Sequence, residues 1–201
     1  MNGGGFNPRS VPALSAWLRL AASTQSGGEW TQINDVVNAA NPVTQTDADR
    51  MTAVGAATNG LPTMVFDGTD VHVWPLSATI QNQATKFGFA CWYKPASVSG
   101  TQIILTMSAF AGGASANRLQ LYTFGSQVFA EAYISGNNGR AGATASSAVA
   151  IGTWVWLRLE YDSSRGGDAN LKLYIGGAEQ SLTYSNLGAG GTLTVLPQPT
   201  G

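Results

Sequence analysis

The clearest pattern in this chain is an alternation of apolar and polar residues with a period of two, which begins near residue 87 and recurs to about residue 175. It is sharpest over residues 153–161. Side chains two positions apart share one face of a strand, so this segment divides into two faces. The apolar face, predicted to point into the core, consists of Val155, Leu157, Leu159 and Tyr161. The mixed face consists of Trp154, Trp156, Arg158 and Glu160.

Further strands are predicted on both sides of this segment. Residues 87–94 are rich in bulky side chains and end at Pro95, and residues 102–107 form a short apolar run. Residues 118–122 and 127–134 flank Gly125 and Ser126 and predict a hairpin, and residues 171–175 follow a Gly-rich turn. Several antiparallel strands separated by such turns predict an all-β, two-sheet sandwich.

The predicted hairpin repeats the division into faces. Its apolar side holds Leu119, Leu121, Val128, Ala130, Ala132 and Ile134. Its mixed side holds Arg118, Gln120, Tyr122, Phe129, Glu131 and Tyr133. We therefore expect one sheet to have an outer face rich in aromatic, arginine and glutamate side chains.

This mixed face is the candidate ligand surface. Aromatic rings cover the apolar side of a sugar while polar groups meet its hydroxyls, and the same residue types anchor protein interfaces. A third interpretation, that a loop or a further strand covers the rings as core, stays open beside these two. The candidate residues are Trp154, Trp156, Arg158, Glu160, Tyr122, Arg118, Glu131 and Tyr133.

Composition and charge exclude several classes of partner. Charged residues make up 10% of the chain, against about 25% in an average soluble protein. The formal net charge is −1 and the basic residues are scattered, so we expect no nucleic-acid binding. No apolar run is long enough for a membrane span. Residues 1–12, with three glycines and two prolines, predict a flexible arm without the features of a secretory signal, so we expect either no such export or a removed leader.

Three segments resemble one known family. Residues 59–70, NGLPTMVFDGTD, are similar to the "NGLPAL-x-FDGTDD" segment of laminin-G-like members of the concanavalin A-like lectin/glucanase superfamily. Residues 14–18, LSAWL, resemble their opening "L-x-A-W" strand. Residues 156–162 and 171–177, WLRLEYD and LKLYIGG, resemble their late hairpin.

The resemblance spans roughly residues 13–190 and implies a two-sheet antiparallel jelly-roll β-sandwich, predicted as one domain over residues 13–201. Lectins, glycosidases, adhesion modules and virion proteins all use this fold, so it predicts no single function. Family members usually continue after the late hairpin with a closing strand of the pattern "F-x-G-x-I-x-x-V". This chain ends at residues 195–201 without that pattern, which predicts a truncated sequence or a strand donated by another chain.

Residues with catalytic or metal-binding chemistry are few. The glucanases of the superfamily use Glu-x-Asp-x-x-Glu, and the nearest match, residues 160–165, has Arg165 in place of the third acid. His72 is the only histidine, which excludes a multi-histidine metal site. Asp67 and Asp70 could offer oxygens to Ca²⁺, but turn-capping carboxylates are favoured. The lone Cys91 is interpreted as a small buried hydrophobe. We predict no enzyme activity, no cofactor and no bound metal.

The leading functional expectation is a non-enzymatic virion or surface structural module. Its most plausible form is a phage capsid-decoration or tail-associated protein, located in the virion, that contacts a capsid or tail protein and in addition a surface glycan. A homo-oligomer is compatible with this role. The alternative is a carbohydrate-binding, lectin-like domain of a bacterial exoprotein or adhesin, outside the cell or on its surface. A glycoside hydrolase is the least favoured function.

Overall fold

The part of the chain that the structure describes folds mainly into antiparallel β-strands. The computed structural model describes residues 18–35, 37, 43–44, 52–58, 61–66, 86–108, 118–134, 138–165 and 170–188. Within these ranges the helical structure is limited to a single 3₁₀ turn, Ser163–Arg165, and its neighbour at residue 170. The all-β prediction is therefore confirmed. No helix in the described part of the chain is long and apolar enough to cross a membrane.

Several sequence predictions fall outside the described residues. These are the arm at residues 1–12, the opening motif before Leu18, the positions of Asp67, Asp70 and His72, and the end of the chain at residues 195–201. The chain divides into two compact units, residues 1–80 and 81–201. The assignment of residues 13–201 to one domain stays a prediction.

The first unit contains one antiparallel sheet. Its strands are β1 (Leu18–Ser26), β2 (Glu29–Asp35), β3 (Val43–Thr44), β4 (Thr52–Thr58) and β5 (Leu61–Val65). The order is β1-β2-β4-β5, and β3 pairs with β2. Trp30 on β2 is buried, and its indole Nε1 donates a hydrogen bond of 3.1 Å to the carbonyl oxygen of Thr63 on β5. This bond satisfies the one polar group of a large buried ring.

The second unit contains two antiparallel sheets. Its strands are β6 (Lys86–Tyr93), β7 (Thr101–Ser108), β8 (Arg118–Phe124), β9 (Gln127–Ile134), β10 (Asn138–Ala143), β11 (Val155–Asp162), β12 (Leu171–Ile175), β13 (Ala178–Glu179) and β14 (Thr183–Gly188). The five-stranded sheet has the order β14-β10-β9-β8-β7, and the four-stranded sheet has the order β13-β12-β11-β6.

The predicted hairpins are present. Phe124 at the end of β8 pairs with Gln127 at the start of β9, so a two-residue turn joins the strands. Gly125 occupies the first turn position with φ of 60°, a backbone conformation that a glycine adopts without strain and that suits the twist of a tight hairpin. β11 pairs with β12 in the second predicted hairpin, with Leu159 opposite Leu173.

The core of the second unit follows the period-two pattern. On β11, Leu157, Leu159 and Tyr161 are buried and Arg158 is exposed. Val155, at the strand start, is only half-buried. The inward residues of the hairpin β8–β9 are buried as predicted, namely Leu119, Leu121, Val128, Ala130 and Ala132.

A hydrogen bond ties the two sheets of this unit together across the core. The Tyr184 hydroxyl on β14 donates to the carbonyl oxygen of Leu171 on β12 at 2.9 Å. β14 belongs to the five-stranded sheet and β12 to the four-stranded sheet, so the two sheets pack face to face. Their other faces therefore point to opposite sides of the second unit.

Candidate functional site

The eight predicted ligand residues lie on two sheets rather than one. Trp156, Arg158 and Glu160 lie on β11, and Trp154 directly precedes it, in the four-stranded sheet. The others, Arg118, Tyr122, Glu131 and Tyr133, lie on β8 and β9 in the five-stranded sheet. The sequence pattern placed these strands in one sheet. β11 instead has β6 and β12 as its neighbours.

The first group forms part of an aromatic surface that we call the tryptophan face. It is the outer face of the four-stranded sheet around Trp92, Trp154 and Trp156. Trp92 on β6 is directly opposite Trp156 on β11, and their ring centroids are 5.6 Å apart with the planes tilted by 57°. Trp92 is 65% exposed, although a ring of this size is normally covered in a soluble domain.

The third tryptophan extends this surface toward the end of the sheet. The ammonium Nζ of Lys94 lies 6.0 Å from the ring centroid of Trp154, at the outer limit of a cation–π contact. Together the three rings border an open groove of about 530 Å³.

A glycine turn keeps the other side of the groove open. Gly176 and Gly177 join β12 to β13 with φ of 60° and 88°, and the amide of Gly176 donates to the carbonyl oxygen of Trp156 at 2.9 Å. The positive φ angles of this two-residue turn favour glycine. Because neither residue has a side chain, the turn borders the groove without filling it.

A polar cluster continues the tryptophan face along the strands. The Glu160 carboxylate accepts hydrogen bonds from Arg158 and, at 2.9 Å, from Arg165. The Arg158 guanidinium lies 5.0 Å from the ring centroid of Tyr174, and the Tyr174 hydroxyl is 3.4 Å from Glu160 Oε2. Partial burial raises the pKa of Glu160, but the hydrogen bond from Arg165 and the charges of both arginines outweigh this effect. The net pKa is lowered.

Asp162 ends the same face of β11. Its Oδ1 accepts hydrogen bonds from the Ser164 hydroxyl at 2.5 Å and the Ser164 amide at 3.0 Å, while Lys86 Nζ lies 3.2 Å from Oδ2. The side-chain hydrogen bond from Ser164 is the main cause that lowers the pKa of Asp162 to about 2, and Lys86 adds to it. Both carboxylates of the glucanase-like segment are therefore ionised at neutral pH.

The second group of predicted residues lies on β8 and β9 of the five-stranded sheet. Tyr122 stacks on Phe129 with centroids 5.0 Å apart and an angle of 5° between the rings. Ile103 on β7 is opposite Tyr122 and is 60% exposed, and Phe124 is 54% exposed. Glu131 is only 5% exposed, so its carboxylate is not part of an open surface. Arg118 and Tyr133 are paired across β8 and β9.

Cys91 faces the interior of the four-stranded sheet, opposite Leu157. Burial raises the pKa of its thiol to about 12, so the thiol is protonated at neutral pH and unreactive. This agrees with the interpretation of Cys91 as a small hydrophobe. Among the described residues, no group of three or more His, Cys, Asp or Glu side chains is arranged to hold a metal ion.

The sequence analysis missed three members of the tryptophan face: Trp92, Lys94 and Tyr174. The sequence did contain a signal for Trp92 and Lys94. On β6 and just beyond it, the outward residues 88, 90, 92 and 94 alternate with the inward residues 87, 89, 91 and 93. Bulky residues on both faces concealed this alternation. Tyr174 follows from the hairpin register, which places it opposite Arg158.

Comparison with known proteins adds no assignment to this geometry. No protein-family model matches the chain, and no curated protein or solved structure is significantly similar to it.

Proposed function

We propose that this protein is a non-catalytic binding module that holds a saccharide against its tryptophan face. The observation that carries the proposal is the exposure of Trp92 beside Trp156 at the edge of an open groove. Contact of a large apolar ring with water is unfavourable, so a ligand that covers the ring gains binding free energy by removing that contact. An exposed aromatic cluster of this kind marks a binding site.

The arrangement suits a sugar ring better than a flat aromatic ligand. Trp92 and Trp156 are inclined to each other by 57°, so they form a shallow cradle rather than a slot. The apolar side of a sugar ring can rest on such rings while its hydroxyls reach polar groups at the rim. Arg158, Glu160 and Tyr174 provide donors and acceptors next to the rings.

The carboxylates on this face support binding rather than hydrolysis. A glycosidase needs one carboxyl group that stays protonated as general acid, and its pKa is raised for that purpose. The pKa values of Glu160 and Asp162 are both lowered, and each carboxylate is held by cationic partners. The pair is suited to fixing the position of Arg158 and Arg165.

For the second unit we propose the concanavalin A-like jelly-roll fold. The chain passes from β6 in the four-stranded sheet through β7–β10 in the five-stranded sheet. It then returns to β11 beside β6, and later to β14 beside β10. Such crossings between two packed antiparallel sheets are the pattern of Greek-key and jelly-roll sandwiches.

The experiment that tests the function is a glycan array followed by titration calorimetry on the best ligand. Trp92→Ala and Trp156→Ala should each weaken binding by about tenfold or more, because truncating a central aromatic anchor costs at least about 1.4 kcal/mol. Phe124→Ala is the matched control, since Phe124 is also exposed but lies on the other sheet. No saccharide ligand for the wild type, or equal binding by the tryptophan variants, would refute the proposal.

A second candidate is the structural role, as a phage decoration or tail-associated protein. The supporting observation is the apolar row on the five-stranded sheet, where Ile103 and Phe124 are exposed beside the stacked Tyr122 and Phe129. Exposed aromatic and aliphatic side chains are typical of protein interfaces. This role requires the wild type to co-sediment with virion particles and the Phe124→Glu variant to lose that association. Unchanged co-sedimentation of the variant would exclude this surface.

A further inference from the structure

We infer that the saccharide bound at the tryptophan face is acidic, carrying carboxylate or sulfate groups. This inference rests on the proposed function and names its ligand class. The reasons are the distribution of charge along the chain, the two cations on either side of the tryptophans, and the way in which the nearby carboxylates are already neutralised.

Charge is distributed unevenly between the two units. Residues 81–201 contain seven basic and five acidic side chains, a net charge of +2, whereas residues 1–80 contain three and six, a net charge of −3. The acidic side chains on this sheet, Glu160, Asp162 and Glu179, are each paired with a cation, and the segments that carry the three tryptophans contain none. Residues 71–130 and 132–159 contain no Asp or Glu. An approaching anion therefore meets no carboxylate from either segment.

Two cations flank the rings along the strand direction. Arg158 follows Trp156 by two residues on β11, and Lys94 follows Trp92 by two residues just beyond the end of β6. The two strands are antiparallel, so Arg158 and Lys94 lie on opposite sides of the Trp92–Trp156 pair. Two residues of an antiparallel strand advance about 7 Å, which places the two cations roughly 14 Å apart along the strands. A short oligosaccharide stacked on the rings would meet a cation toward each end.

Neither cation is fully neutralised by its neighbours. Arg158 contacts Glu160, but Glu160 also accepts from Arg165, and Asp162 is shared by Arg165 and Lys86, so three cations share two carboxylates. Lys94 is exposed, and in the described ranges its one contact with a charged or aromatic group is the Trp154 ring. By contrast, Lys86 and Lys172 on the same face are paired with Asp162 and Glu179 at 3.2 Å and 2.8 Å.

A nucleic acid is also an anion that stacks on aromatic rings, but the face suits it less well. Single-strand binders track the phosphate backbone with a continuous positive groove. Here the cations at the rings are Lys94 and Arg158, and the groove between them is lined by tryptophan and glycine. Isolated cations on either side of an aromatic cradle fit a ligand whose anionic groups are carried on saccharide rings that stack between them.

The test compares charged and neutral forms of the same ligand. Oligogalacturonate, a hyaluronan oligosaccharide and a heparin oligosaccharide are titrated beside the carboxyl-reduced or desulfated form of each. At least one acidic form should bind more tightly than its neutral form by about fivefold or more at low salt, since hydrogen bonds to charged groups are stronger than neutral ones. That advantage should shrink as salt rises from about 0.01 M to about 1 M, because the exposed charges become screened.

Two lysines on one strand provide the variant and its control. Lys94→Gln should reduce the advantage of the acidic ligand by about threefold and leave the neutral ligand unaffected, a change of roughly 0.6 kcal/mol. Lys86→Gln removes the same charge from the same face of β6, about 20 Å from Trp92 by strand length, and should change neither.

The outcomes separate this inference from the function on which it rests. One outcome is that a neutral saccharide binds as tightly as any acidic one and that Trp156→Ala abolishes this binding. That outcome overturns the inference and leaves the proposed function intact. The inference is also overturned if Lys94→Gln and Lys86→Gln act alike, or if a single-stranded oligonucleotide binds more tightly than every saccharide. No saccharide binding of either kind refutes both.

Discussion

The replacement of Leu159 by alanine, compared with the replacement of its neighbour Arg158, tests the face assignment on which the tryptophan face depends. Leu159 is fully buried, and it lies between Phe89 on β6 and Leu173 on β12 in the register of the sheet. Arg158 precedes it on the same strand and points outward, with its side chain 51% exposed. The two residues therefore share a strand and differ in face.

The expected cost of Leu159→Ala follows from its burial. Leucine loses three carbon groups on truncation, and each buried group contributes about 0.8 kcal/mol, or roughly 2.4 kcal/mol in all. The cavity left between Phe89 and Leu173 adds to this, because a packed core relaxes only in part, so we expect about 3–4 kcal/mol. Arg158→Ala removes an exposed ion pair with Glu160 and a contact with Tyr174, and should cost at most about 1 kcal/mol.

Urea unfolding monitored by circular dichroism and tryptophan fluorescence measures both variants. If the unfolding curve shows two transitions, each is assigned to one of the two compact units. The loss of unfolding free energy should then affect the transition that the tryptophan fluorescence of the second unit reports. If Leu159→Ala cost less than about 1 kcal/mol, or Arg158→Ala cost as much as Leu159→Ala, the assigned faces of β11 would be wrong. The tryptophans would then not share the outer surface.

Two further predictions concern the second unit. Gly142→Ala should destabilise it by about 1–3 kcal/mol in the same unfolding assay, because the added Cβ would lie 2.9 Å from Leu182 Cδ1. Gly88→Ala is the control, since its Cβ meets nothing within 4 Å, and equal effects would contradict the packing at Gly142. The pKa of Asp162 is lowered to about 2 in the folded protein, so ionised Asp162 stabilises the fold. This stabilisation is fully present at pH values above 3.8, the ordinary pKa of the group. This stabilisation declines as the pH falls from about 4 through 2, so Asp162→Asn should lower the urea midpoint at pH 5 and much less at pH 2, and an equal decrease at both values would exclude this role.

Period-two alternation was enough to predict β6–β9, β11 and β12, because it depends only on neighbouring residues along the chain. Leu157 and Leu159 are buried and Arg158 is exposed because successive side chains of a strand point to opposite faces of the sheet. The hairpin around Gly125 was equally local, since a two-residue turn leaves one register for its strands. The alternation places Asp162 on the outer face of β11, but it does not show that Ser164, Lys86 and Arg165 largely cover its side chain.

Which strands become neighbours could not be predicted in this way. β6 and β11 are separated by four strands of the other sheet, and the pairing of Trp92 with Trp156 is set by contacts far apart in the sequence. Glu131 shows the same difficulty. It alternates with Ala130 and Ala132, so the pattern places it on the solvent side, yet neighbouring elements cover it to 5% exposure. Local alternation predicts a face but not what lies over that face.

The register of β6 against β11 couples the core of the second unit to its tryptophan face. Cys91 and Phe89 pair with Leu157 and Leu159 on the inner side, and this same register sets Trp92 against Trp156 on the outer side. A slip of one residue would turn Trp92 into the core and expose Cys91, because side chains alternate between the faces. The buried contacts that stabilise the sheet therefore also fix the distance between the two rings. Selection for a packed interior and selection for a binding surface therefore act on the same pairing of β6 with β11. A core substitution that shifts this register should abolish ligand binding even when every residue of the tryptophan face is unchanged.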